Sequence, residues 1–509
     1  MSRFNPPPIV YICGALILGG AGFHAYKLAA PDSPVAIAQP PRCLNSETQL
    51  TVLGDSFSGY SSLRALASEG RLTTPGFDLD LSLCYQEELD QARRAELLGQ
   101  GADLMVTTLD QYLTHRPAGK IVGLIDRTIG ADAALLNTSR FPDLKSLDDI
   151  PALKAAHPEL TLVYSAGTPS EYLARLLDIK FERFNLADFN VVAVEDSSQA
   201  YDLLQSDPNV AVAVLWEPDV SKAVQSGNTV VLSSRDVPYS IIDVVVASET
   251  LLAQPDVLQG MMTAYYHHAD GLMGAALTNQ IATDGGLSPQ EAEAVLGGID
   301  FFSSIETGQW FVDGTLAQRI RSTEAILSLA GQSVPTADPA SLYDPSFIEA
   351  AIASTQQRLD AIKAADPALA AQLKGKAAAA QPASPQKVQA AAAIGNLNLR
   401  GTVGFTTGAA TLTSEGQQTL DQLAQELSDF SPQTTALSIV GHTSKTGPAA
   451  LNQTLSEQRA QVVADGLKQR GVALQIVAQG AGFTQPLPNT DPASAQNQRT
   501  DVTLKRIGG

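Results

Sequence analysis

Two short loops carry residues suited to holding a ligand. Leu53-Gly54-Asp55-Ser56-Phe57-Ser58-Gly59-Tyr60 lies between an apolar run and a helical pattern, and Thr168-Pro169-Ser170-Glu171 opens a second helix. Small and hydroxyl residues at a helix start leave backbone N–H groups free for an anionic or polar ligand. Thr168 as N-cap, Pro169 in the first turn and Glu171 behind them predict a capping box. Ordinary capping explains either loop alone; the pair gains meaning if both face one cleft. For catalysis the sequence offers little. No Ser/His/Asp, Cys/His or metal-ligand spacing recurs, and the acid pairs Glu195-Asp196 and Glu217/Asp219 read as caps or solvated groups. The expectation is a binding protein with no catalytic residue, no cofactor and no metal, His442 being structural.

The chain has 509 residues, with 33 Lys+Arg against 53 Asp+Glu, a net charge of −20. Such a balance argues against a nucleic-acid binder, whose affinity rests on basic side chains at phosphates. Residues 396–507 hold 8 Lys+Arg and 8 Asp+Glu, so the whole excess lies in the first 395. Ile9 to Tyr26 is free of charge, with Arg3 before it and Lys27 after it. Eighteen such residues stand near the lower limit of the roughly 20 that span a bilayer. Residues 1–8 then form a cytoplasmic tip and 9–28 a transmembrane helix or signal anchor; a cleaved signal peptide is the alternative. Either way the bulk of the chain crosses the membrane into an oxidising compartment, where Cys43 and Cys84 can pair. Two buried thiols are the other reading, because the strands around them can hold them too far apart.

Behind the ligand loops stands an alternation of short apolar strands with helices. Strands are expected at Gln49–Leu53, Phe77–Cys84, Asp103–Thr107, Ile121–Leu124, Thr161–Tyr164, Asn190–Val194, Val210–Leu215, Thr229–Leu232 and Ile241–Ala247. This is the βαβ signature of α/β sheets, and nine strands suit two small lobes. From Leu251 to Gly331 the pattern turns helical. Residues 29–46 form a Pro-rich linker and 336–395 a helical, Ala/Pro-rich linker. After these, residues 396–507 read strand, helix, strand, helix, strand, strand.

Within that last segment Phe405, Gly408, Leu412, Gly441-His442-Thr443, Gly447, Asn452, Leu455-Ser456, Arg459-Ala460, Gly480, Pro486, Asn497 and Arg499 follow one another. In these residues it resembles the OmpA-like peptidoglycan-binding family. The resemblance implies an α+β domain whose wall-peptide site would use Thr443, Ser444, Asn452, Leu455, Arg459 and Arg499. In that family an Asp after Gly-His-Thr and an Arg fifteen residues later grip diaminopimelate, one charge for each end of a zwitterion. Arg459 is present here, but Ser444 stands at the Asp position and brings no charge. Peptidoglycan binding is expected to be weakened or retuned.

The earlier segment carries Gly101-Ala102-Asp103-Leu104 with Thr107-Thr108, Ser165-Ala166-Gly167-Thr168-Pro169-Ser170, Leu215-Trp216-Glu217-Pro218, Ile241-Ile242-Asp243, and Leu287-Ser288 with Glu291-Ala292-Glu293. It resembles the periplasmic solute-binding proteins of the nitrate, sulfonate and taurine ABC transporters. That implies a two-lobed type II clamshell over 47–335, with lobe one at 48–130 and 240–330 and lobe two at 135–235. Hinges would lie near Ile121–Leu136 and Arg235–Ala247. Pocket residues would be those on loops after strands: Asp55, Ser56, Phe57, Ser58, Tyr60, Thr107, Thr108, Asp110, Gly167, Thr168, Ser170, Glu195, Trp216, Glu217 and Asp243. Their charges are all acidic, and Arg127, the nearest base, can pair with Asp126 or Asp132 instead. Such a site suits a cationic or small polar solute better than nitrate or sulfonate. Trp216 either stacks on the ligand or packs in the core.

The reading is therefore an inner-membrane, single-pass protein of a Gram-negative-type envelope, with its bulk in the periplasm. It would bind a solute for an ABC permease or a sensor and touch peptidoglycan, with no nucleic-acid partner. The alternative is a structural scaffold between inner membrane and cell wall. A flagellar stator role is disfavoured, because Ile9–Tyr26 has no ionisable residue to carry ions.

Overall fold

The computed structural model describes residues 48–272, 275–332, 338–375, 383–399 and 403–508. The expected anchor at 9–28 and Cys43 lie outside them. No helix among the described residues is long and apolar enough to cross a membrane. Cys84 is disulfide-bonded, so it is not a free buried thiol.

Eleven strands build two sheets. The first contains β1 (Thr48–Gly54), β2 (Leu81–Glu87), β3 (Leu104–Thr108), β4 (Gly119–Thr128), β10 (Ile242–Ser248) and β11 (Ile299–Phe301), in the order β11-β4-β10-β3-β1-β2. The second contains β5 (Asp132–Leu136), β6 (Thr161–Ser165), β7 (Asn190–Val194), β8 (Val210–Trp216) and β9 (Thr229–Ser233), in the order β7-β6-β8-β5-β9. Apart from the edge strand β11, the two orders are the same pattern written twice. In each sheet the antiparallel strand arrives from the opposite lobe: β5 follows β4 across residues 129–131, and β10 follows β9 across 234–241. The crossovers run side by side. Ser234 N donates to Asp132 O at 2.8 Å, and Gly130 N donates to Ser234 Oγ at 2.8 Å.

Central strands such as Val210–Trp216 and Ile242–Ser248 are buried along almost their whole length. Covered on both faces, they read as continuous apolar runs rather than alternations. This makes a charged residue inside one of them, such as Asp243, informative. Residues 338–373, expected as linker, pack on the first lobe instead. Ile121 exchanges backbone hydrogen bonds with Leu342 and Asp344. Thr355 Oγ1 donates to Asp270 Oδ2 at 2.5 Å, and Ser303 Oγ donates to Leu373 O at 2.6 Å. The cause is the apolar content of this stretch: Phe347, Ile348, Ala351 and Leu373 are all buried.

The C-terminal domain has the sheet order β12-β15-β13-β14, formed by Ala392–Asn396, Thr500–Arg506, Thr435–Gly441 and Gln475–Gly480. Two helices, Ser414–Leu427 and Ala449–Gln469, pack with this sheet. Thr413 caps the first of them by accepting from Gly416 N at 3.1 Å. The first strand of this sheet, Ala392–Asn396, begins inside the Ala-rich tract expected as linker. Gly441 lets β13 lie directly on the second helix. A Cβ there would sit 2.2 Å from the backbone oxygen of Ser456.

Domain and clamshell share one apolar core through Phe181, Leu147, Ile394, Leu397 and Phe430. Polar contacts surround it. Asp429 accepts from Lys180 Nζ at 2.8 Å and from Arg319 Nη1 at 2.5 Å, and Asn396 N donates to Asp148 Oδ1 at 2.9 Å. Gly441→Ala is expected to destabilise the C-terminal domain by about 1–3 kcal/mol through overpacking. Urea unfolding followed by hydrogen exchange of β13 checks this; a wild-type midpoint would show that the helix can shift away without cost.

Candidate functional site

The candidate site lies where the two sheets meet. Antiparallel pairing sets Asp243 of β10 opposite Thr108 of β3, and opposed residues present their side chains on one face. Tyr60, from the first ligand loop, donates its hydroxyl to Asp243 Oδ1. Phe57 packs edge-on against Tyr60, with ring centroids 5.4 Å apart. Asp126, near the end of β4, stands against Asp243; burial first, then that neighbour's charge, holds its carboxyl well above the usual range. Asp243 is also raised, by burial first and by Asp55, Asp110 and Asp132, against the Tyr60 hydrogen bond.

Asp110 sits in the first turn of the Leu109–His115 helix. Its Oδ2 accepts from Gln111 Nε2 at 2.9 Å, while Oδ1 is buried without a partner. Burial raises this carboxyl too, against the hydrogen bond from Gln111. Asp132 enters from the second lobe at the start of β5, where burial pushes it up to about 7. Trp216, half-buried, is its direct partner across the β5–β8 pair. Among the described residues none of Asp110, Asp126, Asp132 and Asp243 forms an ion pair, because the nearby arginines are engaged elsewhere. Arg94 pairs with Asp55 at 3.0 Å. Arg127 pairs with Asp300 and with Glu306, the latter at 2.8 Å, and not with Asp126 or Asp132. Successive residues on a strand point to opposite faces, so Arg127 turns away from Asp126.

A cavity of 170 Å³ opens between the lobes beside this group, polar and large enough to hold several waters. Asp110, Gln111, Thr114 and His115 line it from lobe one, and Gly167, Glu171, Tyr172 and Arg175 from lobe two, with Leu327 and Gln332 closing it. Its guanidinium, Arg175, is paired with Glu171 at 2.5 Å.

Of the residues expected in the pocket, the structure brings Asp110 and Gly167 to this cavity, and Tyr60, Thr108, Asp243 and Trp216 to the acid group behind it. Others do local work. Asp55 organises its own loop, accepting from Phe57 N at 3.0 Å. Ser56 is exposed and Ser58 half-buried in that loop. Thr107 donates to Gln91 Oε1 at 2.9 Å. Thr168 caps its helix by accepting from Ser170 N at 3.2 Å. Glu171 accepts from Gly167 N at 2.8 Å, so no capping box closes on Thr168. Ser170 Oγ is buried without a partner. Glu195 is exposed, and Glu217 accepts from Ser221 Oγ at 2.9 Å. Asp126 and Asp132 were missed as site residues. The signal for them was a carboxylate at the edge of an apolar run.

In the C-terminal domain, Thr443, Ser444, Asn452 and Arg459 come together and are buried. Arg459 donates from Nε to Ala409 O at 3.1 Å and lies 5.1 Å over the Phe405 ring. Gln498, not foreseen, links both ends of the site: it accepts from Arg459 Nη1 and donates to Ser444 Oγ, each at 3.4 Å. Asn452 Nδ2 braces the preceding loop at Thr446 O, 2.9 Å away. Leu455 is half-buried on the same helix. Arg499 is held by Asp501 at 2.9 Å. His442 Nε2 lies 3.0 Å from Asp501 Oδ2. No group of three His, Cys, Asp or Glu among the described residues is placed to hold a metal.

Two lobes of one strand order, two crossovers and a polar cavity between them define a periplasmic-binding-protein clamshell, followed here by a separate α+β domain. Comparison with known proteins agrees with the second part. Residues 404–500 match the model of the OmpA family. Outer membrane protein A of Shimwellia blattae is 43% identical over 93 residues, covering 18% of this chain and 39% of its own. Probable lipoprotein YiaD of Escherichia coli K12 is 39% identical over 114 residues, covering 22% and 51%. The chain thus spans about half or less of these relatives. Among solved structures, the periplasmic aliphatic sulphonate binding protein SsuA of Escherichia coli has 15% identity and TM-score 0.44, covering 59% of this chain and 93% of its own. The periplasmic nitrate-binding protein NrtA of Synechocystis has 12% identity and TM-score 0.45, covering 62% and 91%. The two-lobe assignment rests on the strand orders themselves.

The raised Asp132 has a consequence for stability. Folded, it keeps its proton up to pH about 7, whereas an unfolded carboxyl releases it near 4. Stability is therefore lost as pH rises through that window, since the native state binds the extra proton. Asp132→Asn is expected to flatten this decline and to stabilise the ligand-free protein at pH 8 by on the order of 2 kcal/mol. Urea titrations at pH 5 and pH 8 measure it; an unchanged pH slope would show that Asp132 ionises freely.

Proposed function

We propose that this chain is an envelope-tethered solute-binding protein that captures a small polar, preferably cationic, solute between its lobes for an ABC-type transporter or a sensor. The observation that supports this reading most directly is the interlobe cavity at Asp110, backed by Asp126, Asp132 and Asp243, with no paired cation among the described residues. Buried carboxylates in that state bind protons or attract a cation, and they repel an anion. In this reading residues 9–28 hold the chain in the inner membrane and the C-terminal domain contacts peptidoglycan. Arg459 would take a carboxylate of the wall peptide, and Ser444 would leave its ammonium without a counter-charge. The scaffold reading, with no transported ligand, draws support from how firmly the C-terminal domain sits on the clamshell.

Thermal-shift and calorimetric titrations with putrescine, spermidine and choline, against taurine and nitrate, separate these readings. An amine is expected to raise the unfolding temperature. Its affinity should grow as pH rises from 5 toward 7, up to tenfold per pH unit for each proton released. Trp216→Ala should lose that shift and Thr443→Ala should keep it. Absence of any shift across amines, amino acids, sulfonates and pyrimidines leaves the scaffold. For the wall, a hydrogen bond to a charged group contributes about 1.5–3 kcal/mol. Ser444→Asp is accordingly expected to strengthen peptidoglycan pull-down roughly tenfold or more, and Arg459→Ala to abolish it. Equal retention of all three proteins would mean that this corner does not touch the wall.

A further inference from the structure

The C-terminal domain holds three parts of the clamshell that must shift against one another when the lobes move. The first is the end of the Pro169–Lys180 helix in lobe two. Lys180 Nζ donates to Asp429 Oδ2 at 2.8 Å, and Asn398 N donates to Lys180 O at 2.8 Å. The second is the Thr315–Leu329 helix, where Arg319 donates to Asp429 Oδ1 at 2.5 Å and Ser322 to Asp429 Oδ2 at 3.0 Å. That helix is tied to lobe one by Arg116–Glu324 at 2.5 Å. The third is the crossover itself. Arg506 pairs with Asp236 and donates to Val230 O at 2.7 Å, and Ser431 N donates to Asp236 O at 2.8 Å. Asp236 lies two residues beyond Ser234, whose hydroxyl joins the two crossovers.

Asp429, Lys180, Arg319 and Asp236 are all buried. One carboxylate thus holds a cation from lobe two and a cation from a helix fixed to lobe one. A rotation of the lobes would draw those cations apart, and Asp429 cannot follow both.

We infer that the C-terminal domain is a brace on the clamshell hinge: seated, it fixes the angle between the lobes, and released, it frees them. Lobe motion and seating of the domain are then linked, and the linkage is reciprocal. A load that unseats the domain alters capture in the cleft, and a solute that rotates the lobes loosens the domain. The inference needs the hinge but not a particular ligand, so it stands or falls apart from the solute-binding reading.

The full chain, without added solute, provides the test. Spin labels at exposed Asp143 in lobe two and Glu293 in lobe one report the interlobe distance distribution, and hydrogen exchange at Ser431 and Thr435 reports seating. Asp429→Asn is expected to speed that exchange at least tenfold and to broaden or shift the distance distribution. Arg506→Gln acts on the crossover contact alone and should do the same to a smaller degree; it carries the test if Asp429→Asn fails to fold. Faster exchange with an unchanged interlobe distribution would overturn the brace. So would slow, wild-type exchange in both variants, since these contacts would then not seat the domain.

Discussion

A buried carboxylate sets the strictest condition in this molecule. Asp429 is enclosed between Lys180, Arg319 and Ser322, and burial alone would raise its pKa; the two cations reverse that and hold it below the ordinary value. Removing one partner from such an arrangement typically costs about 3–5 kcal/mol, because a charge is left buried and uncompensated. The loop that bears Asp429 must therefore keep its place against two helices from different parts of the clamshell. The apolar contacts around it, with Phe181 and Phe430 at 6.5 Å between ring centres, supply area but little direction. The ion pairs determine which surface meets which.

The cleft obeys the same electrostatics with the opposite outcome. Asp110, Asp126, Asp132 and Asp243 are as buried as Asp429, yet none is paired with a cation among the described residues. Their burial is tolerated because their pKa values rise and protons neutralise them in part. Arg94 is held by Asp55, and Arg127 by Glu306 and the rings of Tyr239, Phe302 and Trp310. A group of acids kept from its neighbouring bases is costly for stability and useful for binding, and its natural place is at a site.

Local features of the fold were legible in the sequence to the extent that local patterning determines them. The runs Val210–Leu215 and Ile241–Ala247 are apolar and β-branched enough to be placed within a residue or two. Leu81–Glu87 was expected to begin at Phe77, but Thr74–Phe77 closes a turn in which Gly76 has φ +85°. Ala392–Asn396 was hidden in an Ala-rich tract, because alanine says nothing of strand pairing and only β15 draws the segment in. Asp243 was found because it followed a strand; Asp126 and Asp132 were set aside as partners of Arg127, a choice that depends on which face of its own strand each residue takes. Gln498 and the Asp429 contacts were out of reach. Lys180 and Asp429 are 249 positions apart, and no periodicity encodes a pairing at that range.

The register of the C-terminal sheet bears on how the domain can serve two partners. Asp429 and Ser431 precede β13, and Arg506 ends β15 opposite Thr435, so docking is concentrated at one end of this strand pair. Thr443, Ser444 and Gln498 lie past the other end, where Gly441 faces Thr500. Six residue steps along β13 separate the ends by about 20 Å. A grip on Arg459 and its neighbours therefore need not displace the contacts at Asp429 and Asp236. A pull applied there would instead run along hydrogen-bonded strands toward the crossover. Sheets are stiff along their strands and helices pack on them without slack. The geometry thus lets one small domain be held at its far end while it holds the hinge at its near end.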